Sequence, residues 1–261
     1  MILFDSHSHI DDNCYDNDLQ DIIERAQNEN VRGIMIVGID INRSLKSIKI
    51  ANAYKNIITS VGFHPHDAKM CSKESLDTLI RLAQDNLCVK AWGEIGLDFN
   101  RMFSPSIDQE DCFVKQLEIA GGLDLPLIFH ERDSKGRFYD ILKSEGPESR
   151  KGVIHCFSGT KEELFRYLDL GYYIGITGIL TLKERGKYLR SIAPYIPEDR
   201  ILIETDAPYL TPAPQKNKFK RNEPSFVKSV LIRLAQIRNT DPENLSQVIF
   251  NNTRTLYRVD F

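Results

Sequence analysis

No stretch of this 261-residue chain approaches the ~18 consecutive apolar residues of a membrane span. The first apolar run is already broken at Asp5. No basic region precedes a long apolar one, so a secretory leader is not expected. Cysteine is sparse and odd in number: Cys14, Cys71, Cys88, Cys112 and Cys156, with no Cys-x-x-Cys spacing. That excludes a fully paired disulfide framework and favours a reducing compartment, so a soluble cytoplasmic protein is expected. Positive charge is not in excess either, with 34 Lys and Arg against 37 Asp and Glu and a formal net charge of −3. A broad basic surface for nucleic acid is therefore excluded. An enzyme that brings its positive charge as metal ions is not. No low-complexity linker divides the chain, and one domain spanning residues 1–261 is expected; only the charged segment Thr211 to Arg221 reads as loose.

What the chain does contain is a regular alternation of short apolar runs with longer amphipathic stretches. Helical periodicity predicts helices over Asp16–Glu29, Ser44–Tyr54, Lys73–Gln84, Ser106–Ala120, Phe138–Lys143, Lys161–Leu170, Lys183–Ile192, Ser225–Ile237 and Pro242–Leu256. Between them lie apolar runs at Met1–Phe4, Gly33–Gly38, Ile57–Phe63, Cys88–Gly93, Leu125–Phe129, Gly152–Ile154, Tyr172–Ile176 and Arg200–Ile203. Continuous apolar strands that alternate with helices imply a parallel sheet buried on both faces. Eight such units predict an α/β fold of the (β/α)8 barrel type.

The polar residues that interrupt this pattern fall in one place. His7 and His9 follow the first strand, His64 and His66 the third, Glu94 the fourth, His130 the fifth, His155 the sixth and Asp206 the eighth. In a parallel barrel these strand ends converge on one mouth, where active sites sit. His7 and His9 are two apart, so a strand turns them to the same side. Imidazole and carboxylate together suit Zn, Mn, Co, Ni or Fe(II), and oxygen-richer sites suit Mg. Cys156 is expected to point away from His155, on the opposite strand face. Asp98 with Arg101 is expected to form a salt bridge at the rim.

Taken in order, His7-Ser8-His9-Ile10-Asp11, Gly62-Phe63-His64-Pro65-His66, Gly93-Glu94-Ile95-Gly96-Leu97-Asp98, Pro126 to Arg132, His155-Cys156-Phe157-Ser158-Gly159, Glu204-Thr205-Asp206-Ala207-Pro208 and Asn222-Glu223-Pro224 resemble the successive motifs of the TatD family of metal-dependent deoxyribonucleases. The resemblance implies a distorted (β/α)8 barrel of metal-dependent hydrolase type with two divalent ions, Zn, Mg or Mn. It places His7, His9 and Asp206 on one ion and His130 and His155 on the other, with Glu94 bridging them. It also turns His64 and His66 toward a substrate phosphate. The chain departs from the family's usual glycine-containing loop before Asn222: here it reads Gln215-Lys216-Asn217-Lys218-Phe219-Lys220-Arg221. Its four basic residues fit a solvated loop and a strand-contacting one equally well.

The expected reaction is hydrolysis of DNA phosphodiester bonds, from the 3′ end of a single strand by the resemblance. Two ions can activate a water and clamp a phosphoryl oxygen, with Asp206 as general base. Arg132 is a further candidate for phosphate contact, and Glu204, Asp5 and Asp11 are candidates to support the ligands from behind. Two other readings stay open: an amidohydrolase or lactonase acting on a small cyclic amide or ester, and a metal-loaded interaction protein without catalysis. The partner expected is DNA, with no membrane and no obligate protein partner.

Overall fold

The computed structural model describes residues 1–146 and 151–261. Among them lie strands β1 (Leu3–Ser8), β2 (Val31–Ile36), β3 (Ile57–Val61), β4 (Val89–Asp98), β5 (Leu127–Arg132), β6 (Gly152–Ile154), β7 (Tyr173–Ile176) and β8 (Ile201–Ile203). The helices are α1 (Leu19–Asn28), α2 (Ile41–Ala53), α3 (Lys73–Asp85), α4 (Ser106–Leu123), α5 (Arg137–Glu145), α6 (Lys161–Asp169), α7 (Lys187–Ile192), α8 (Val227–Arg238) and α9 (Pro242–Tyr257). A helix follows every strand, and the strands pair in parallel in chain order from β1 to β8. This is the (β/α)8 arrangement that the alternation predicts. No helix of the described residues is long and apolar enough to cross a membrane.

Local chemistry sets the helix starts. Asp40 accepts the Arg43 amide ahead of α2, and Asp241 accepts the Asn244 amide ahead of α9. Ser72 with Ser75, and Thr160 with Glu163, close reciprocal capping boxes on α3 and α6. Each such cap is worth about 1 kcal/mol. The helices then bury one face, including Leu79, Phe113, Leu117, Leu164 and Val230, against the outside of the sheet. Full burial of one such side chain contributes roughly 1.5–3 kcal/mol.

Inside the barrel, one layer takes a residue from every strand: Phe4, Met35, Ile58, Ala91, Ile128, Val153, Tyr173 and Leu202. Phe250, Leu256 and Tyr257 of α9 pack against the same layer, and Phe261 stacks on Phe4. Side chains alternate along a strand, so the next inward position lies two residues on. That step leads from Ile128 to His130, from Val153 to His155, and from Leu202 through Glu204 to Asp206. On β1 and β4 the step is three, from Phe4 to His7 and from Ala91 to Glu94. Those are the strands whose registers shift between Asp5 and Ser8 and between Trp92 and Ile95. An extra residue of this kind turns the side chains after it to the other face.

β1 and the segment after β8 join through an isolated parallel bridge between Ser8 and Ala207 at the top, and Ser6 Oγ donates to the Ile203 carbonyl of β8 at 2.9 Å below it. The Asp206 amide donates to the His7 carbonyl at 2.9 Å and the His9 amide to the Ala207 carbonyl at 2.7 Å. Beneath them the Asp5 carboxylate accepts the amide and hydroxyl of Thr205, at 2.8 and 2.5 Å.

The structure differs from the sequence expectation in several places. β4 runs on to Asp98 instead of stopping at Gly93. α7 begins at Lys187, not Lys183: the Lys187 amide turns back to the Glu184 carbonyl at 3.0 Å, and the Lys183 carbonyl that a helix from Lys183 would offer it accepts the Arg190 guanidinium instead. The segment after Thr211 is not loose. It forms a 3-10 turn at Gln215–Asn217, and the Phe219 amide donates to the Gln215 carbonyl at 2.9 Å.

Gly96 is the tightest point between β4 and β5. Its φ is +143°, and a Cβ there would lie 1.9 Å from the His130 carbonyl oxygen. Overpacking of about 1–3 kcal/mol adds to a backbone penalty of roughly 1–2 kcal/mol, so Gly96→Ala should destabilise by about 2–5 kcal/mol. Gly122 in α4 has open space where its Cβ would be, and Gly122→Ala should stabilise by roughly 0.5–1 kcal/mol. Urea unfolding of both variants checks the pair. Equal midpoints would remove the close approach at Gly96 as a constraint.

Candidate active site

Glu94 sits at the centre of the barrel mouth with its two oxygens facing different histidines. Oε2 lies 3.4 Å from His7 Nε2 and 3.8 Å from His9 Nε2. Oε1 lies 2.7 Å from His130 Nδ1 and 4.0 Å from His155 Nε2. Asp206 Oδ1 faces both sets, at 3.6 Å from His9, 3.8 Å from His155 and 3.9 Å from His7. His7 Nε2 and His9 Nε2 are 3.3 Å apart. Ligand bonds of about 2.0–2.1 Å put adjacent donors on one ion roughly 3.0–3.4 Å apart, and the His7–His9 and His7–Glu94 separations, 3.3 and 3.4 Å, are of that size.

Polar contacts on the far side of four of the rings decide which nitrogen presents a lone pair, whereas His7 Nδ1 is buried with no hydrogen-bond partner among the described residues. His9 Nδ1 donates to the Val37 carbonyl at 3.1 Å, leaving Nε2 free to ligate. His130 Nε2 donates to Asp98 Oδ2 at 3.2 Å, so Nδ1 is the inward donor atom. His155 Nδ1 lies 2.8 Å from Glu204 Oε1, so Nε2 is the inward one. Such outer partners fix tautomer and ring orientation in metal sites. His64 is the reverse case. Its Nδ1 accepts the His66 amide at 3.0 Å, so the proton of the neutral ring sits on Nε2, which lies 3.2 Å from His130 Nδ1 and 3.6 Å from Glu94 Oε1. His64 is arranged to donate into the site and not to ligate.

Charge divides the rings differently, with His7 and His64 lowered and His130 and His155 raised. Burial and the neighbouring His155 lower His7 to about 4, and burial holds His64 well below the ordinary imidazole range. Burial opposes the charged form of His130, but Asp98 and Glu94 outweigh it and raise the ring to about 9. Burial likewise opposes His155, and Glu204 raises it to about 10. Burial pushes Asp206 up to about 6, with His155 and His9 pulling the other way. Glu94 is as deeply buried, yet His64, His7 and His130 hold it well below the usual carboxylate range.

Several residues stand where the sequence did not put them. Cys156 does not point away. β6 ends at Ile154, and Cys156 has a φ of +47°, so strand alternation no longer applies and the side chain lines the cavity. Asp98 is not a rim residue paired with Arg101. It is 1% exposed, takes His66 and His130 on Oδ2, and accepts the amides of Asn100 and Arg101 on Oδ1. Asp11 touches no histidine of the cluster and holds Arg43 instead. Asp5 acts on the closing seam through Thr205. Glu204 backs His155 and also accepts the Cys156 amide at 2.5 Å. His66 and Arg132 line the cavity, whose volume is about 530 Å³, together with Arg43, Arg101, Arg185 and Tyr209. Asp98 could have been found from Glu94, since positions 94, 96 and 98 share a strand face. Arg185 and Tyr209 carried no periodic signal.

The TatD related DNase family model matches residues 4–258. The 3'-5' ssDNA/RNA exonuclease TatD of Salmonella typhimurium is 38% identical over 261 residues, covering 99% of this chain and all of that protein. An uncharacterized metal-dependent hydrolase of Bacillus subtilis, YabD, is 36% identical over 259 residues, covering 99% of this chain and all of that protein. The crystal structure of a hydrolase TatD family protein from Entamoeba histolytica superposes with a TM-score of 0.89 at 28% identity, covering 98% of each chain.

The protonation pattern is testable in chelated protein. His155 has its folded-state value raised to about 10, above the ~6.5 of an unfolded chain. Its stabilisation is therefore full below pH ~6.5 and is lost as pH rises toward 10. Imidazole NMR in excess EDTA should show His130 and His155 titrating near 9 and 10. Glu204→Gln should return His155 to 6.5 or below and flatten the matching part of the stability profile. A His155 midpoint left near 10 in that variant would eliminate Glu204 as its partner.

Proposed function

From the premise that this chain belongs to the TatD family of metal-dependent hydrolases, we propose that it is a two-metal 3′–5′ exonuclease acting on single-stranded nucleic acid, DNA in the first place. The observation that carries the proposal is the division of Glu94, one oxygen toward His7 and His9 and the other toward His130 and His155. One ion would be held by His7 Nε2, His9 Nε2, Asp206 and Glu94. The other would be held by His130 Nδ1, His155 Nε2 and Glu94.

Charge balance supports two divalent ions. Glu94, Asp98, Glu204 and Asp206 are paired with histidines and, among the described residues, with no Lys or Arg side chain. Once His130 and His155 give up their extra protons, four negative charges remain where two divalent cations supply four positive ones. Buried charges persist only when compensated.

Bound ions would supply an activated water and polarise the phosphoryl oxygens. The chain's own residues would do the rest. The Asp206 carboxylate takes the proton of the attacking water. His64 Nε2–H donates to a non-bridging phosphoryl oxygen as its charge grows. Arg101, Arg132 and Arg185 line the cavity and, among the described residues, have no carboxylate partner. An anionic phosphodiester fits that lining better than a neutral cyclic amide or ester.

Metal-reconstituted protein should shorten a 5′-labelled single strand in a ladder and release a 3′-terminal label first as a mononucleotide. Internal fragments alone, or turnover of a lactone panel without any DNA product, would overturn the proposal. Elemental analysis should find up to two divalent ions per chain. Glu94→Gln should lose metal and activity together. Asp206→Asn should keep the ion held by His130 and His155 and lose about 10²–10⁴-fold in single-turnover rate. A rate within about threefold of wild type with metal retained would remove Asp206 from the base role.

A further inference from the structure

The cavity that holds the histidines does not end at Asp206. Arg185 and Leu210 line it and also line a second groove of about 530 Å³. The far wall of that groove is the loop carrying Lys216, Lys218, Phe219 and Lys220. Among the described residues no carboxylate pairs with Arg185 or with these lysines. Arg221, next in sequence, is different: its guanidinium bonds Asp18 and the Cys14 carbonyl and lies 4.5 Å over the Tyr15 ring. In a chain with a net charge of −3, four free cations around one groove, Arg185 on the near side and three lysines on the far wall, mark a local field of opposite sign.

The wall is built, not dangling. The Lys216 amide donates to the Pro212 carbonyl and the Lys218 amide to the Gln215 carbonyl, both at 2.8 Å, and Gln215 Nε2 donates to Ser229 Oγ at 2.8 Å. Two aromatic rings are open along the route. Tyr209 is 55% exposed at the lip, 6.2 Å from the His9 ring. Phe219 is 51% exposed and braced by Phe226 at 5.1 Å between ring centroids. Cations that track a backbone, interleaved with aromatic faces on which bases stack, are what binding of a single strand requires.

We propose that this groove is the track for the retained part of a single-stranded polynucleotide. Its phosphates lie along Lys216, Lys218 and Lys220, its bases stack on Tyr209 and Phe219, and its terminal phosphodiester sits in the cavity of Glu94. The proposal rests on the nuclease reading above.

The test compares fluorescein-labelled dT12 with the dinucleotide dT2. Binding is followed by anisotropy in excess EDTA, and hydrolysis is followed separately with metal-loaded enzyme. Replacing Lys216, Lys218 and Lys220 together with Ala should weaken dT12 at least tenfold near 0.1 M salt. The slope of log affinity against log salt should become shallower by about two, at roughly 0.7 per phosphate for a single strand. Phe219→Ala should weaken dT12 by roughly 5- to 100-fold with the slope unchanged. Hydrolysis of dT2, too short to reach the loop, should stay within about twofold for both variants. If the triple variant loses dT2 hydrolysis too, Lys218→Ala alone is read, with an expected slope change of about 0.7. Unchanged dT12 affinity in the loop variants, or wild-type affinity no tighter for dT12 than for dT2, would overturn the track and leave the nuclease reading standing. Loop-dependent dT12 binding without hydrolysis of either oligonucleotide would do the opposite.

Discussion

A carboxylate with no cation beside it cannot stay ionised inside a protein, and this barrel closes its mouth over four of them. Glu94, Asp98, Glu204 and Asp206 have histidines, not lysines or arginines, as their neighbours. Histidine is the one partner that can give its positive charge away near neutral pH. Without a metal, His130 and His155 carry protons that balance the acids in part. If these rings hold metal as proposed, they would do so as neutral donors, and metal affinity would be tied to proton loss.

The outer polar contacts of four imidazoles set which atom each presents to the site. A carbonyl or carboxylate behind the ring turns a lone pair inward at His9, His130 and His155. An amide behind the ring turns a proton inward at His64. Chemically identical side chains a few ångströms apart thereby present either a lone pair or a proton to the site, set by backbone groups at His9 and His64 and by carboxylates at His130 and His155.

Much of this could be read in advance. The alternation of apolar runs and helices gave eight parallel strands, and counting strand ends brought His7, His9, Glu94, His130, His155 and Asp206 to one mouth, where the structure has them together. The pattern failed where the backbone leaves its regular period. Cys156 turns into the cavity because a left-handed residue follows a three-residue strand. Asp98 hides beyond a glycine that looked like a strand end but lies within a ten-residue strand. Ahead of α7 the Lys183 carbonyl accepts the Arg190 guanidinium instead of the Lys187 amide, a contact that the apolar period does not show. The loop from Lys216 to Lys220 showed its charges in the sequence, but its shared border with the active cavity appears only in three dimensions.

The seam between β1 and β8 carries a consequence for the order of events during synthesis. The bonds that shut the barrel join residues about two hundred positions apart, Asp206 to His7 and Thr205 to Asp5. Contacts so distant in sequence form late, after the loop-closure entropy of everything between them has been overcome. His7 and His9 therefore leave the ribosome long before Asp206 exists to face them. Until the last strand docks, the growing chain has a pair of imidazoles but no complete cage, and full metal capture belongs to the finished polypeptide, not the nascent one.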